Sequence, residues 1–390
     1  MVGAGQLARM THQAAIALGQ SLRVLADSAD DGAALVAGSV VVGDYRTRAD
    51  LRQFARGCEV VTFDHEHVPN AHLQALVADG VSVAPGPTAL RFAQDKIAMR
   101  GKIAELGVAE LGIHSPPWMV LDPQLDGHNR DAQLVEFGQR HGWPLMLKAA
   151  TGGYDGRGVW TIDSPEQARP IIEELHARDT AVLIEARVVI RRELAAVVAR
   201  SPFGQGAAWP VVQTVQREGI CVEVLAPAPE LDDELADIAQ QFALRLAQEL
   251  DVVGVLAVEL FEDTAGRLLV NELAMRPHNS AHWTIEGART SQFEQHLRAV
   301  LDYPLGSTEM AAPVVVMVNL LGGAEDVTPK GIDERVHHFM AHWPDVKLHL
   351  YGKAFRPGRK VGHVTLLGSD LAATRARARA AADYLMNGDQ

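Results

Sequence analysis

GVLAVELFEDTAGRLLVNELAM, residues 254–275, reads as two strands around a tight turn. Residues 254–262 and 268–275 are mostly Val, Leu and other apolar types, and DTAG between them is a turn signal. With the loop centred between Ala265 and Gly266, Glu259 falls opposite Glu272. Opposed residues on antiparallel strands have Cβ atoms about 4.5–5.5 Å apart, and like charges there repel. Two carboxylates held in that way call for a cation between them. With Asn271 beside them the donors are hard oxygens, which suit Mg2+ completed by water and a substrate phosphate.

A second stretch, KAATGGYDGRGVW (148–160), supplies the opposite charge. Gly152, Gly153, Gly156 and Gly158 let backbone N–H groups close around an anion without Cβ obstruction. Lys148 ends a strand and offers a point charge to a phosphate. The lysine precedes the glycines and no GK[ST] follows, so the stretch is not a P-loop.

Around these two stretches the chain divides into three expected domains. Residues 1–94 alternate helical patterns with short apolar runs (SLRVLAD, SVVVGD, EVVTFD), the pattern of a doubly wound parallel sheet. Residues 95–302 begin on a long helix within TALRFAQDKIAMRGKIAELG and continue into successive strands that suggest antiparallel pairing. Residues 303–390 form a smaller strand-rich unit closed by a basic helix. The fold class is α/β followed by α+β.

Composition narrows the function. At 390 residues the chain exceeds one ordinary domain. Two cysteines, Cys58 and Cys221, exclude a disulfide scaffold and fit a reducing cytoplasm. A formal charge of −13 argues against a general nucleic-acid binder. No apolar run approaches the ~20 residues of a membrane span.

Lys148, TGGYDGRG, LIEARV with Glu193 beyond it, the Glu259/Glu272 pair and NELAMRPHNSAHWT together resemble the ATP-grasp superfamily. Within it they are similar to the 5-(carboxyamino)imidazole ribonucleotide synthetase family of purine biosynthesis, from GAGQLARM to RPGRKVGH. The resemblance implies an ATP-grasp architecture with an N-terminal parallel-sheet domain and a small C-terminal domain. It implies a cytoplasmic, ATP- and Mg2+-dependent ligase, a homodimer acting on aminoimidazole ribonucleotide and bicarbonate. Arg91 and Lys148 would contact ATP phosphates, and the loop Gly153, Tyr154, Asp155, Gly156, Arg157, Gly158 and Val159 would fold over them. Glu185, Ala186, Arg187 and Val188 would form the adenine hinge, with Glu193 on the ribose and Gln216 near ATP. Glu259 and Glu272 would ligate Mg2+ beside Asn271. Tyr154 and Asp155 would also face the aminoimidazole, while Arg276 and His278 would lie by the carboxyphosphate. Gln6, Leu7 and Glu66 would line the ribonucleotide pocket, and Arg359 and Lys360 would receive its phosphate. Catalysis would fall to Arg276, His278, Lys148 and Asp155. Carboxyphosphate hydrolyses easily, which gives a glycine-hinged lid its purpose.

Four features pull elsewhere or depart. GAGQLA with Asp27 downstream matches a dinucleotide fingerprint, but an NAD enzyme would leave the lysine, loop and carboxylates without work. The resemblance instead makes the first helix N-terminus an anion-friendly part of the ribonucleotide pocket. Met275 stands where a proline is common and Ala281 where a glycine is common. Finally, only Met1 and Val2 precede Gly3, whereas an interior first strand runs about 5–6 residues. The expectation is a natural start upstream, with about four or more further residues completing that strand.

Overall fold

A computed structural model describes residues 1–122, 124–153, 158–323 and 329–388. The N-terminal part runs α1 (Gln6–Ala17), β1 (Arg23–Ala26), β2 (Ser39–Val42), α2 (Arg48–Ala55), α3 (Asn70–Ala78) and α4 (Pro87–Gln94). After α5 (Lys96–Glu105) come β3 (Ile113–His114), β4 (Trp118–Val120), α6 (Gly127–His141), β5 (Leu145–Ala149), β6 (Val159–Ile162), α7 (Pro165–Ala177) and β7 (Val182–Ala186). Next are β8 (Ile190–Arg200), β9 (Gly206–Ala208), β10 (Val212–Arg217), β11 (Ile220–Ala226), α8 (Asp233–Glu249), β12 (Gly254–Asp263) and β13 (Leu268–Ala274). The chain finishes with α9 (Thr284–Gly287), α10 (Gln292–Val300), β14 (Val314–Leu321), α11 (Pro329–His342), β15 (Lys347–Leu350), β16 (Lys360–Gly368) and α12 (Leu371–Asn387).

The N-terminal sheet is parallel, as its alternating pattern predicts, but sparse. β1 pairs with β2, and Val2 bridges Leu25 on one side and Phe63 on the other. The expected strand 59–64 is reduced to bridges at Val61 and Phe63. Val2 thus holds an interior position, its N–H donating to Thr62 O at 2.7 Å and its carbonyl accepting from Asp64 N at 3.0 Å.

The long helix expected after residue 87 is two helices. Asp95 separates them in extended conformation and caps α5 with its carboxylate, accepting from Ile97 N at 2.9 Å and Ala98 N at 3.1 Å. The break turns α5 toward the middle of the molecule, which matters for Lys96 and Arg100 below.

Two further sheets carry the rest. β4-β7-β5-β6 form an antiparallel four-stranded sheet, its core made with α6 and α7 by Leu134, Phe137, Leu147, Ile172 and Ile184. The other sheet has ten strands in the order β15-β16-β14-β11-β10-β8-β12-β13-β3, with β9 against β8. Among the described residues the unit expected at 303–390 therefore has no sheet of its own: β14 pairs with β11 and extends the central ladder. In the central strands both faces are buried. Leu194, Ala196, Val198, Leu256 and Val258 meet α8 residues such as Phe242 and Leu246, while Ala195, Val197, Val255 and Ala257 pack under Trp209 and Trp283. Burial on both faces explains why these strands read as continuous apolar runs rather than alternating ones.

Candidate active site

The carboxylate pair expected from the hairpin is present, though the turn alone does not produce it. Leu260 pairs with Val270, Phe261 with Leu269 and Glu262 with Leu268, which centres the loop on Ala265, half a residue from the expected centre. Gly266 takes φ +77°, and the Asp263 carboxylate accepts from Ala265 N and Arg267 N, both at 2.9 Å. Continued regularly, that register would set Glu259 against Asn271. A bulge after Glu259 leaves Asn271 as the extra residue, so Glu259 opposes Glu272. The bulge also brings two successive side chains toward one face: Asn271 Nδ2 donates to Glu259 Oε2 at 3.4 Å beside Glu272. Glu193, on neighbouring β8, adds a third carboxylate, and its hydrogen bond from Gln216 offsets part of the rise that burial imposes on its pKa. Burial, then Glu272 and Glu193, push the Glu259 carboxyl up to about 7. Such crowding is relieved by a divalent cation. Among the described residues no three His, Cys, Asp or Glu converge as a ready metal centre, so a metal here would rest on two glutamates plus other oxygens.

Cations surround this acidic face. Lys96, from the first turn of α5, lies 2.5 Å from Glu272 Oε1. The Lys360 charge, at the start of β16, acts on both Glu259 and His278. His278 Nδ1 accepts from Ser280 N at 3.4 Å and lies 2.8 Å from Ser280 Oγ. That assigns the proton to Nε2, which lies 3.4 Å from Glu259 Oε1. Burial, then Arg276 and Lys360, drive the His278 pKa down to about 3, so it presents a neutral N–H. Arg276 Nε bonds Glu66 Oε2 at 2.7 Å, and Met275 N–H donates to Glu66 Oε1 at 3.0 Å. Glu66 therefore clasps the end of β13 from the N-terminal sheet. A proline at 275 would lack the donor this clasp uses.

On the four-stranded sheet Lys148 Nζ lies 2.6 Å from Glu185 Oε2, and Arg100 Nε lies 2.6 Å from Glu185 Oε1. The Glu185 side chain is thus committed to an ion-pair cluster rather than presented at a hinge. Ala186 N donates to Pro117 O at 2.9 Å, Arg187 is exposed and Val188 is half-buried. The stems of the glycine loop meet: a Cβ on Gly158, at φ +75°, would lie 3.3 Å from Gly153 Cα. Val159 then opens β6 opposite Lys148. Tyr154, Asp155, Gly156 and Arg157 lie outside the described residues. Arg91 sits exposed on α4, lining a cleft of about 290 Å3 with Phe92 and Lys102, and Lys96 rather than Arg91 reaches the carboxylates.

At the N-terminal turn one expectation is corrected. The start of α1 is already occupied by an anion, because Asp64 Oδ2 accepts from Gly5 N at 2.6 Å. A Cβ on Gly3 would lie 2.0 Å from Asp64 Oδ1, and one on Gly5 2.8 Å from Oδ2. The fingerprint glycines therefore make room for a resident carboxylate rather than a pyrophosphate. Gln6 Oε1 accepts from Lys353 Nζ, and Leu7 packs with Met10, Phe293 and Tyr351. Arg359 is exposed, with Nη1 donating to Ala354 O at 3.3 Å.

Lys96, Arg100 and Lys353 were not singled out as site residues by sequence reasoning. A signal existed for two of them. Lys96 and Arg100 lie at i and i+4 directly after a capping Asp, a pair that reads as a solvated face unless the helix is known to be covered.

Comparison with known proteins shows the family. Residues 1–94 match the ribonucleotide synthetase preATP-grasp domain, 107–293 the ATP-grasp domain, and 315–377 the phosphoribosylaminoimidazole carboxylase C-terminal domain. The N5-carboxyaminoimidazole ribonucleotide synthase of Mycobacterium tuberculosis is 60% identical over 388 residues, covering 100% of this chain and 87% of that protein. The crystal structure of N5-carboxyaminoimidazole ribonucleotide synthetase from Thermus thermophilus superposes with TM-score 0.83 at 36% identity, covering 99% of both chains. The Aspergillus clavatus synthase in complex with ADP and 5-aminoimidazole ribonucleotide gives 0.85 at 31% identity and 98% of both. With its parallel N-terminal sheet, its glycine loop and its opposed glutamates all in this company, the chain belongs to the N5-carboxyaminoimidazole ribonucleotide synthase family.

Proposed function

We propose that this chain is an ATP-dependent carbon–nitrogen ligase of de novo purine biosynthesis. The γ-phosphoryl group of ATP passes to a bicarbonate oxygen, giving carboxyphosphate and ADP. The amine of 5-aminoimidazole ribonucleotide then attacks the carboxyl carbon, phosphate leaves and the amine loses a proton. The product is 5-(carboxyamino)imidazole ribonucleotide. The observation that carries this reading is the Glu259/Glu272 pair, crowded enough to raise the Glu259 pKa, in a chain whose lysine and glycine loop suit phosphate.

Phosphoryl transfer depends mainly on positioning and charge neutralisation. Glu259 and Glu272, with Asn271 beside them, would hold Mg2+, whose contribution is to neutralise charge on the transferring phosphates. Lys148 and Lys96 bring charge to the ATP phosphates, with Arg91 at the periphery, and Gly153 to Val159 close over them. Backbone groups of Glu185 to Val188 take the adenine, while Glu193 and Gln216 take the ribose. Tyr154 and Asp155 face the aminoimidazole. Arg276 offers a fixed guanidinium to bicarbonate and carboxyphosphate, and His278 a neutral hydrogen-bond donor. Arg359 and Lys360 receive the ribonucleotide phosphate, with Lys353, Gln6, Leu7 and Glu66 on the same side. The working form we propose is a cytoplasmic homodimer, which sedimentation analysis tests directly.

Phosphate release should require ATP, bicarbonate and aminoimidazole ribonucleotide together, and should equal carbamate formation. Turnover indifferent to aminoimidazole ribonucleotide would reject the substrate.

A further inference from the structure

Glu185 is shared by two cations that are fastened very differently. Arg100 meets its Oε1 and Lys148 its Oε2, each at 2.6 Å. The side chains are 0% exposed for Arg100, 3% for Glu185 and 9% for Lys148, so water can replace neither partner. Arg100 is also fixed to the other sheet, donating through Nη1 to Val270 O at 2.7 Å and through Nη2 to Asn271 O at 3.1 Å. Lys148, by contrast, carries a compact charge on a four-carbon stem with rotatable donors.

We propose that Arg100 is a positioning residue, the permanent counter-ion of Glu185 that frees Lys148 to leave that carboxylate for the phosphates of ATP. This rests on the reading of Lys148 as a phosphate ligand. A buried carboxylate stripped of its only cation is strongly unfavourable, so Glu185 with Lys148 alone would retain the lysine. With Arg100 in place Lys148 can move while Glu185 stays paired, and arginine stays protonated throughout. The charges agree: burial alone would raise the Glu185 carboxyl, yet Arg100 and then Lys148 hold it below its ordinary value. The same guanidinium holds the carbonyl of the bulged Asn271, so the partner of the phosphate lysine is tied to the hairpin of Glu259 and Glu272. Helix α5 thus serves both clusters, Lys96 on Glu272 and Arg100 on Glu185.

The test is calorimetric titration of the full chain with Mg2+ and a non-hydrolysable ATP analogue, for four forms. Wild type and Lys148→Met set the scale. If Lys148→Met binds as tightly as wild type, the phosphate role of Lys148 fails and the inference falls with it. Given a loss there, Arg100→Met should weaken binding about tenfold or more, because Lys148 stays on Glu185. Arg100→Met/Glu185→Gln should then recover to within about threefold of wild type, since no carboxylate retains the lysine. A merely structural arginine would give no such recovery. Arg100→Met within about twofold of wild type, or a double variant as weak as the single, overturns the proposal while leaving Lys148 in its role. Should Arg100→Met not fold, Glu185→Gln alone decides: binding at or above the wild-type level supports the proposal, and a loss of about tenfold overturns it.

Discussion

The two charged clusters that face each other across the site are unequal. On the four-stranded sheet one carboxylate, Glu185, has two cations, Lys148 and Arg100. On the ten-stranded sheet three carboxylates, Glu193, Glu259 and Glu272, share one side of β8, β12 and β13, with Lys96 on Glu272 and the charge of Lys360 acting on Glu259. Each side is therefore out of balance in the opposite sense. A polyphosphate chelating a divalent cation corrects both at once, phosphate toward the lysine and metal toward the glutamates. Neither cluster alone specifies that ligand.

The largest break in this comparison comes from the acidic side. Glu272→Gln should lower turnover about a thousandfold, because charge on the transferring phosphates loses part of its neutralisation. Its melting temperature should shift by no more than a few degrees, since the amide oxygen still accepts from Lys96. Steady-state kinetics and a thermal scan check both halves, and near-normal turnover would remove Glu272 from the site. Lys360→Ala should raise KM for aminoimidazole ribonucleotide about tenfold and KM for ATP much less. Because Lys360 also acts on Glu259 and His278, a modest fall in kcat should accompany it. An equal effect on ATP would assign Lys360 to the acidic cluster instead.

Two smaller effects lie outside both clusters. Gly3→Ala forces a Cβ onto Asp64 at a φ of +97° and should cost about 1–3 kcal/mol, seen as a melting point several degrees lower. Ala281→Gly should lower it by only about 1–3 °C, with kinetics unchanged. Ala281 is buried among apolar neighbours and is not among the positive-φ residues, so its methyl group fills space without strain. A gain in stability from that glycine would show strain where none is visible.

Local patterns were readable in the sequence, and long-range pairings were not. Helix α1, the short strands and the hairpin follow from periodicity and turn residues. The Glu259/Glu272 opposition was also legible, but by compensation: the loop centre differs by half a residue, and the bulge at Asn271 restores the pair. No sequence rule marks that bulge, since Asn271 and Glu272 interrupt the apolar run without showing which residue is the extra one. Lys96 and Glu272 are 176 positions apart, and Arg100 and Glu185 are 85 apart, so helix-face charges gave no hint of burial. The dinucleotide-like glycines report a close approach to α1 and not what approaches, which is Asp64. The proline departure at Met275 gained its meaning only once Glu66 was seen to accept its N–H.

The unbroken ladder from β15 to β3 has a consequence for how the protein comes apart. β14 pairs with β16 along its length and with β11 through Val315–Val318, so the C-terminal strands cannot peel away without breaking that seam in the central sheet. Amide exchange in β14 and β16 should slow to the same rate as in β8 and β12, as one cooperative unit. Among the described residues the four-stranded sheet shares no ladder with that unit, and its amides are free to exchange through separate, cheaper openings.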